Sequence, residues 1–135
     1  MPLFYLDSSV ALHALLETPG RAPLLAWIDE PGNKFVSSRL LRTEVVRVLR
    51  REGEPPSAAE ALLARVGMFE ITEKIHQQAE AIAAHIRALD ALHLATALLV
   101  PEVVTVATHD DRMANAARLM GLPTLDPLAT GALGS

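Results

Sequence analysis

Short apolar segments alternate with helical patterns along this chain, and this alternation limits its fold more than any other feature. The segments 3–6, 35–36, 68–71 and 103–107 are apolar and too short to be helices. Between them, apolar residues recur at helical spacing in the stretches 10–16, 22–30, 41–51, 57–65, 73–100 and 111–120, with a break near 87–89. The fourth stretch begins with the capping-box pair Ser57 and Glu60. Alternating strands and helices form βα units, so the sequence predicts a three-layer α/β sandwich, a twisted parallel sheet with helices on both faces.

Composition limits the organisation and the chemistry. The 135 residues, 50% of them hydrophobic, suit one domain, which we place at 1–128, followed by a frayed tail at 129–135. The absence of cysteine excludes disulfides, thiolate nucleophiles and cysteine-ligated metals. The apolar stretch 3–16 contains Asp7 and has no basic region before it, so we interpret it as folded structure and expect a cytoplasmic protein without a membrane span.

Two of the predicted strands end in acids. Asp7 follows the first strand directly, and Asp110 comes shortly after the last. In an open α/β sheet, ligands bind beyond the carboxyl ends of the strands, so both acids are expected at one edge. Each aspartate has a second interpretation, in which it only caps the helix that follows.

Asp90 lies in a segment that is apolar on nearly every side, 88–100, which predicts a buried helix. A carboxylate there needs hydrogen-bond donors, a cation or a metal, because an unpaired buried charge costs several kcal/mol by rough estimate. We favour the metal interpretation. The alternative is that Asp90 caps the start of the helix.

Glu44 borders the apolar stripe of the helix predicted at 38–51. It is one turn after Leu40 and one turn before Val48, which permits an inward side chain. A surface glutamate paired with Arg47 or Arg51 at helical spacing is the alternative.

Several enzyme classes lack their sequence signatures in this chain. We find no GxGxxG, GxxxxGK[ST], GxSxG or HExxH pattern, so dinucleotide-binding, P-loop, α/β-hydrolase and zincin functions are not supported. The five histidines show no paired metal-ligand spacing. His93 is expected to be a core histidine with its hydrogen bonds satisfied, and His109 adjoins the acidic edge.

Four segments together resemble the PIN domain of VapC-type toxins. They are the segment Tyr5-Leu6-Asp7-Ser8-Ser9, the helix around Glu44, the segment LDALHLATA at 89–97, and Val106-Ala107-Thr108-His109-Asp110 with the helix after it. They occur in the family's order over nearly the whole chain, and LDALHLATA is the most diagnostic of them. The resemblance implies a PIN-like sandwich in which the first strand neighbours the one that ends near Thr108.

The resemblance also implies a function. Asp7, Glu44, Asp90 and Asp110 would form the acidic quartet that binds Mg²⁺ or Mn²⁺ in an endoribonuclease toxin. A cognate VapB-type antitoxin would neutralise the toxin, RNA would be its substrate, and a homodimer is expected. Ser8 and Thr108 match accessory hydroxyl positions, and Asp111 would supplement or replace Asp110. The alternatives are a PIN nuclease in RNA processing and a non-catalytic nucleic-acid-binding module.

The formal net charge is -4, so contact with RNA has to be local. Positive charge is concentrated at 39–51, which contains five arginines. Arg39, Arg42 and Arg112 are our candidate phosphate contacts. Solvated surface charge is the alternative for any one of them.

Overall fold

The computed structural model describes residues 2–129, within which five strands alternate with helices. The strands are β1 (Leu3–Leu6), β2 (Lys34–Ser38), β3 (Val66–Phe69), β4 (Thr105–Ala107) and β5 (Thr124–Leu125). The α-helices are α1 (Ser8–Leu15), α2 (Arg21–Asp29), α3 (Leu40–Arg51), α4 (Glu60–Leu63), α5 (Glu73–Glu80), α6 (Ala88–Leu99) and α7 (Asp111–Leu119). Within the described residues, no helix is both long enough and apolar enough to cross a membrane.

The strands form one parallel sheet in the order β3-β2-β1-β4-β5. The chain proceeds from β1 outward to β3 and then returns to place β4 on the other side of β1. The order therefore reverses beside β1, and such a switch point opens a crevice at the carboxyl ends of the strands. Asp7 and Asp110 follow the two strands that border this crevice, as the sequence predicted.

The sheet is covered on both faces because successive side chains of a strand point to opposite sides. Phe4 and Leu6 belong to a core with residues of α1 to α4. Tyr5, between them, belongs to the other core with residues of α6 and α7. This confirms the three-layer sandwich, and it explains why the central strand β1 is an unbroken apolar run.

Some local predictions differ from the structure. The segment after Pro55 is a 3-10 turn at Pro56–Ala59 that leads into α4, and neither Ser57 nor Glu60 makes a capping bond there. The pair of strand residues that forms β5 was not predicted, because two residues carry no periodicity. In the predicted tail at 129–135, only Ala129 is described, and residues 130–135 lie outside the described part of the chain.

Candidate functional site

Asp7 is buried at the carboxyl end of β1, with 4% of its surface exposed. The hydroxyls of Ser9 and Thr108 both donate to its Oδ2, at 2.8 and 2.7 Å. Its side chain makes no capping bond to α1, so the capping interpretation is wrong for this residue. Among the described residues, Oδ1 of Asp7 takes part in no hydrogen bond, which leaves one carboxylate oxygen for a ligand.

The same two hydroxyls connect the ends of β1 and β4. Thr108 Oγ1 accepts a hydrogen bond from the backbone N–H of Asp110 at 3.0 Å, and Ser9 Oγ accepts one from the N–H of His109 at 3.1 Å. Ser8, the accessory hydroxyl expected from the sequence, begins α1 and makes no side-chain hydrogen bond within the described residues. The residue that supports Asp7 is therefore Ser9.

Asp110 caps α7, as its second interpretation predicted. Its Oδ1 accepts hydrogen bonds from the N–H groups of Arg112 and Met113 at 2.9 and 3.4 Å. Its other oxygen makes no hydrogen bond to the residues that the structure describes. Capping therefore fixes the carboxylate and still leaves an oxygen available. Asp111, the next residue, is exposed in the first turn of α7.

Asp90 lies in the first turn of α6, three residues after Arg87, which precedes the helix. Burial raises the pKa of the Asp90 carboxyl, the positive charge of Arg87 opposes that rise, and the negative charges of Asp7 and Asp110 add to it. Three of the four predicted acids therefore share one electrostatic environment. The nearest cation is the Arg87 guanidinium, whose Nε lies 3.3 Å from Asp90 Oδ2.

The capping interpretation is wrong for Asp90, because Arg87 occupies the capping position and α6 receives no side-chain cap. The predicted burial of the helix is correct for its middle and wrong for its start. His93 to Ala97 are buried, whereas Ala88 and Leu89 are exposed. Asp90 sits at this boundary and is half-buried.

Glu44 points inward from α3 and contacts α6. Its Oε1 is 2.5 Å from Nε2 of His93, a histidine that is fully buried and whose two ring nitrogens are both hydrogen-bonded. The prediction for His93 is thus confirmed, and the alternative pairing of Glu44 with Arg47 or Arg51 is wrong. No hydrogen bond among the described residues joins Glu44 to the other three acids.

An open cleft of about 840 Å³ adjoins Asp90 and Asp110, and neither Asp7 nor Glu44 is among its lining residues. Arg87, Asp90, Asp110, Asp111 and Arg112 line it, so acids and arginines face the same space. Of the predicted phosphate contacts, only Arg112 lines the cleft. Arg42 forms an ion pair with Glu60 at 2.8 Å, and Arg39 bonds to Thr43 at 3.3 Å.

Sequence reasoning missed Arg87 and Ser9. Arg87 stands three residues before Asp90, a spacing at which opposite charges meet on a helix. Ser9 stands two residues after Asp7, where a short hydroxyl side chain can bond back to an aspartate. Both signals were present, but each is common in proteins that have no active site.

The donor set suits a hard divalent cation. Every candidate ligand is a carboxylate oxygen, which Mg²⁺ and Mn²⁺ prefer. Within residues 2–129, no group of three or more acids and histidines stands ready to hold a metal. Mg²⁺ commonly takes only one or two carboxylates and keeps several waters, so it does not require a larger group of protein ligands.

Comparison with known proteins gives consistent results. The family model described as the PIN domain matches residues 4–119. The chain is 32% identical to Ribonuclease VapC47 of Mycobacterium tuberculosis, in an alignment that covers 93% of this chain and 97% of that protein.

Solved structures share the fold. A toxin-antitoxin complex from Klebsiella pneumoniae contains a chain with a TM-score of 0.68 at 18% identity, covering 92% of this chain and 97% of that one. VapBC-1 from nontypeable Haemophilus influenzae also gives a TM-score of 0.68, at 16% identity with the same coverage. At these identities the likeness concerns the fold.

Proposed function

The chain belongs to the PIN-domain family, and from that premise we propose that it is a metal-dependent endoribonuclease, the toxin of a VapBC-type toxin-antitoxin pair. The observation that carries the proposal is the placement of the acids: Asp7 and Asp110 follow the adjacent strands β1 and β4, and Asp90 lines the same cleft as Asp110. Carboxylates gathered in this way repel one another and form a site for a cation. The relative named Ribonuclease VapC47 supports RNA as the substrate.

We assign the metal to Asp7 and Asp90. When bound, Mg²⁺ or Mn²⁺ would lower the pKa of a coordinated water and neutralise charge on the scissile phosphate. Asp7 offers Oδ1, because its Oδ2 is held by Ser9 and Thr108. Asp90 would hold the metal with the carboxylate that now contacts Arg87.

The two remaining acids would hydrogen-bond the water ligands of the metal or hold a second metal, and one of them takes up the proton. Asp110 keeps one carboxylate oxygen after capping α7, and Glu44 keeps Oε2 after its bond to His93. Either oxygen is suited to accept the proton of the water that attacks phosphorus. The family resemblance implies 5′-phosphate and 3′-hydroxyl products.

Arginines on the cleft supply the attraction for RNA. Arg112 lines the cleft beside Asp110, and Arg87 lines it beside Asp90 with 81% of its side chain exposed. The planar guanidinium matches phosphate geometry, and both side chains are exposed where a bound backbone would pass. A VapB-type antitoxin would cover this cleft, and the toxin would form a homodimer.

A cleavage assay on total RNA tests the enzymatic part. The purified chain should cut RNA with Mg²⁺ or Mn²⁺, and cleavage should stop in chelator and return when metal is restored. Asp7→Asn should be inactive. Glu17→Gln, which removes a carboxylate that is 91% exposed on its side chain, is the matched control and should retain activity. Full activity in chelator, or an active Asp7→Asn variant, contradicts the proposal.

Expression in a bacterial host tests the toxin role. Induction should arrest growth, and co-expression of a small reading frame adjacent to the gene should relieve the arrest and form a complex with the chain. Cleavage without growth arrest would favour the RNA-processing alternative.

A further inference from the structure

A buried chain of hydrogen bonds runs from the sheet to Glu44. The backbone N–H of Ser38, at the end of β2, is 3.0 Å from the phenol oxygen of Tyr5 on β1. That phenol oxygen is 2.8 Å from Nδ1 of His93 on α6, and Nε2 of His93 is 2.5 Å from Oε1 of Glu44 on α3. Ser38, Tyr5 and His93 are all fully buried, so water does not compete for these bonds.

The direction of each bond follows from what each group can donate. The Ser38 N–H can only donate, so the Tyr5 oxygen accepts this bond. The ordinary pKa of a tyrosine phenol is about 10, so the O–H of Tyr5 is retained at neutral pH. Within the described residues, the phenol oxygen has two hydrogen-bond partners, the N–H of Ser38 and Nδ1 of His93. Because the first of these is a donor, the Tyr5 proton goes to Nδ1 of His93.

The Glu44 end of this series of hydrogen bonds requires the same arrangement. A carboxylate oxygen accepts hydrogen bonds, so the His93 nitrogen that faces Oε1 of Glu44 has to be the donor. That nitrogen is Nε2, and Nδ1 is the one that accepts from Tyr5. Both ends are thus satisfied by the same tautomer, in which Nε2 carries the proton and Nδ1 accepts.

We propose that His93 is a positioning residue for Glu44, held in its Nε2–H tautomer by Tyr5 so that one oxygen of Glu44 is fixed and Oε2 alone is presented to water or metal. The proposal rests on the nuclease function proposed above. Because His93 is one turn after Asp90 on α6, the same helix carries a proposed metal ligand and the group that orients another acid. The role needs a donor at the Nε2 position, which distinguishes it from simple core packing.

The tautomer is measured first, on the unaltered protein. Long-range ¹H–¹⁵N NMR spectra of ¹⁵N-histidine-labelled chain distinguish protonated from unprotonated ring nitrogens. We expect the proton on Nε2 of His93 and none on Nδ1, and loss of this fixed pattern in Tyr5→Phe. A proton on Nδ1 with none on Nε2 in the unaltered protein overturns the proposal. This measurement requires no enzymatic activity.

A matched pair of variants then tests the function of the tautomer. In His93→Gln the amide nitrogen reaches the position of Nε2 and keeps a donor toward Glu44, whereas in His93→Asn the shorter side chain reaches only the Nδ1 position. We expect His93→Asn to lower kcat by about 10- to 100-fold with little change in KM for RNA, and His93→Gln to recover most of that loss. Mn²⁺ affinity, measured by calorimetry, should follow the order parent, His93→Gln, His93→Asn.

Melting temperatures accompany both variants. Equal loss of kcat and of Mn²⁺ affinity in two folded variants overturns the proposal, because packing alone then explains the residue. If His93→Asn does not fold, two measurements test the proposal: the tautomer in the parent, and the Mn²⁺ affinity of His93→Gln relative to the parent. An affinity of His93→Gln near that of the parent supports the positioning role, and a large loss of affinity overturns it. If the parent cuts no RNA, the proposed function is wrong. The tautomer of His93 and the Mn²⁺ affinities of the parent and the two variants still test the positioning role.

Discussion

The candidate site has two sides that are held in different ways. We call the first the buried floor; it consists of Asp7, Ser9, Thr108, Tyr5, His93 and Glu44. We call the second the cleft wall; it consists of Arg87, Asp90, Asp110, Asp111 and Arg112. Most polar atoms of the floor are hydrogen-bonded within the protein, whereas the acids of the wall lie in a negative field that is opposed mainly by an exposed arginine.

The difference follows from the elements that carry each side. The floor is built from the ends of β1 and β4 and from the inner sides of α1, α3 and α6, which pack on the sheet through two cores. The wall is built around the starts of α6 and α7, along an open cleft. The fold therefore fixes the floor through hydrogen bonds, whereas it leaves the wall open to solvent.

Asp7→Asn gives the largest expected effect, because it changes the charge of the floor and keeps its shape. The amide oxygen of Asn can still accept from Ser9 and Thr108, so thermal unfolding should occur near the parent temperature. Cleavage should fall by about 1000-fold, since the free ligand oxygen becomes an amide nitrogen. Kinetics and melting curves measured together check this. A large loss of stability would show that the charge itself holds the floor together.

Asp90→Asn should lower cleavage by about 100-fold and, without metal, leave the protein equally stable or more stable at neutral pH. The raised pKa means that the folded protein prefers the protonated form of Asp90, so its contribution to stability is complete at low pH and is lost as pH rises through the folded-state pKa. Asn imitates the protonated form. The difference in unfolding free energy between Asp90→Asn and the parent should therefore narrow as the pH falls toward 3.8, the ordinary pKa of an aspartate carboxyl. Denaturant titrations between neutral and acidic pH measure it, and a less stable variant at neutral pH contradicts the repulsion.

Ser9→Ala tests whether the floor needs its hydroxyls. This change removes a donor to Asp7 and an acceptor for the N–H of His109, so we expect about a tenfold loss of metal affinity and about 1 kcal/mol of stability. Ser8→Ala is the matched comparison one residue away and should lose less of both. Calorimetric Mn²⁺ titrations separate the two variants. Equal losses would mean that position 9 has no special role.

Arg112→Ala should have the smallest effect, a severalfold weaker binding of RNA. Removing one side chain that binds a phosphate flattens the dependence of log affinity on log salt by roughly 0.7 for a single strand. Arg39→Ala and Arg42→Ala should change the slope less, because these residues contact Thr43 and Glu60 away from the cleft lining. Binding of a non-cleaved RNA by Asp7→Asn protein at several salt concentrations provides the comparison. If Arg39→Ala or Arg42→Ala flattens the salt dependence of RNA binding more than Arg112→Ala does, the RNA contacts α3 and not the cleft lining.

The sequence by itself determined the parallel sheet and the meeting of Asp7 with Asp110. Both follow from local patterns, because the period of apolar residues sets the type of each element and parallel strands end at one edge. The apolar pattern of its helix singled out Asp90, and the family resemblance added the strand order, the inward direction of Glu44 and RNA as the substrate. These are statements about which elements exist and which edge they share.

Only the tertiary structure decided which polar groups touch. It selected Ser9 over Ser8, joined Glu44 to His93, placed Arg87 on the cleft and let Asp110 cap α7. It also left the capping box at Ser57 and Glu60 unformed. The reason is that several of these contacts join residues far apart in the chain, as Thr108 and Asp7 are. In addition, a difference of one residue or one helical turn decides whether a side chain reaches its partner. A local pattern carries the period of an element, whereas its register against distant elements is fixed only when the whole core packs.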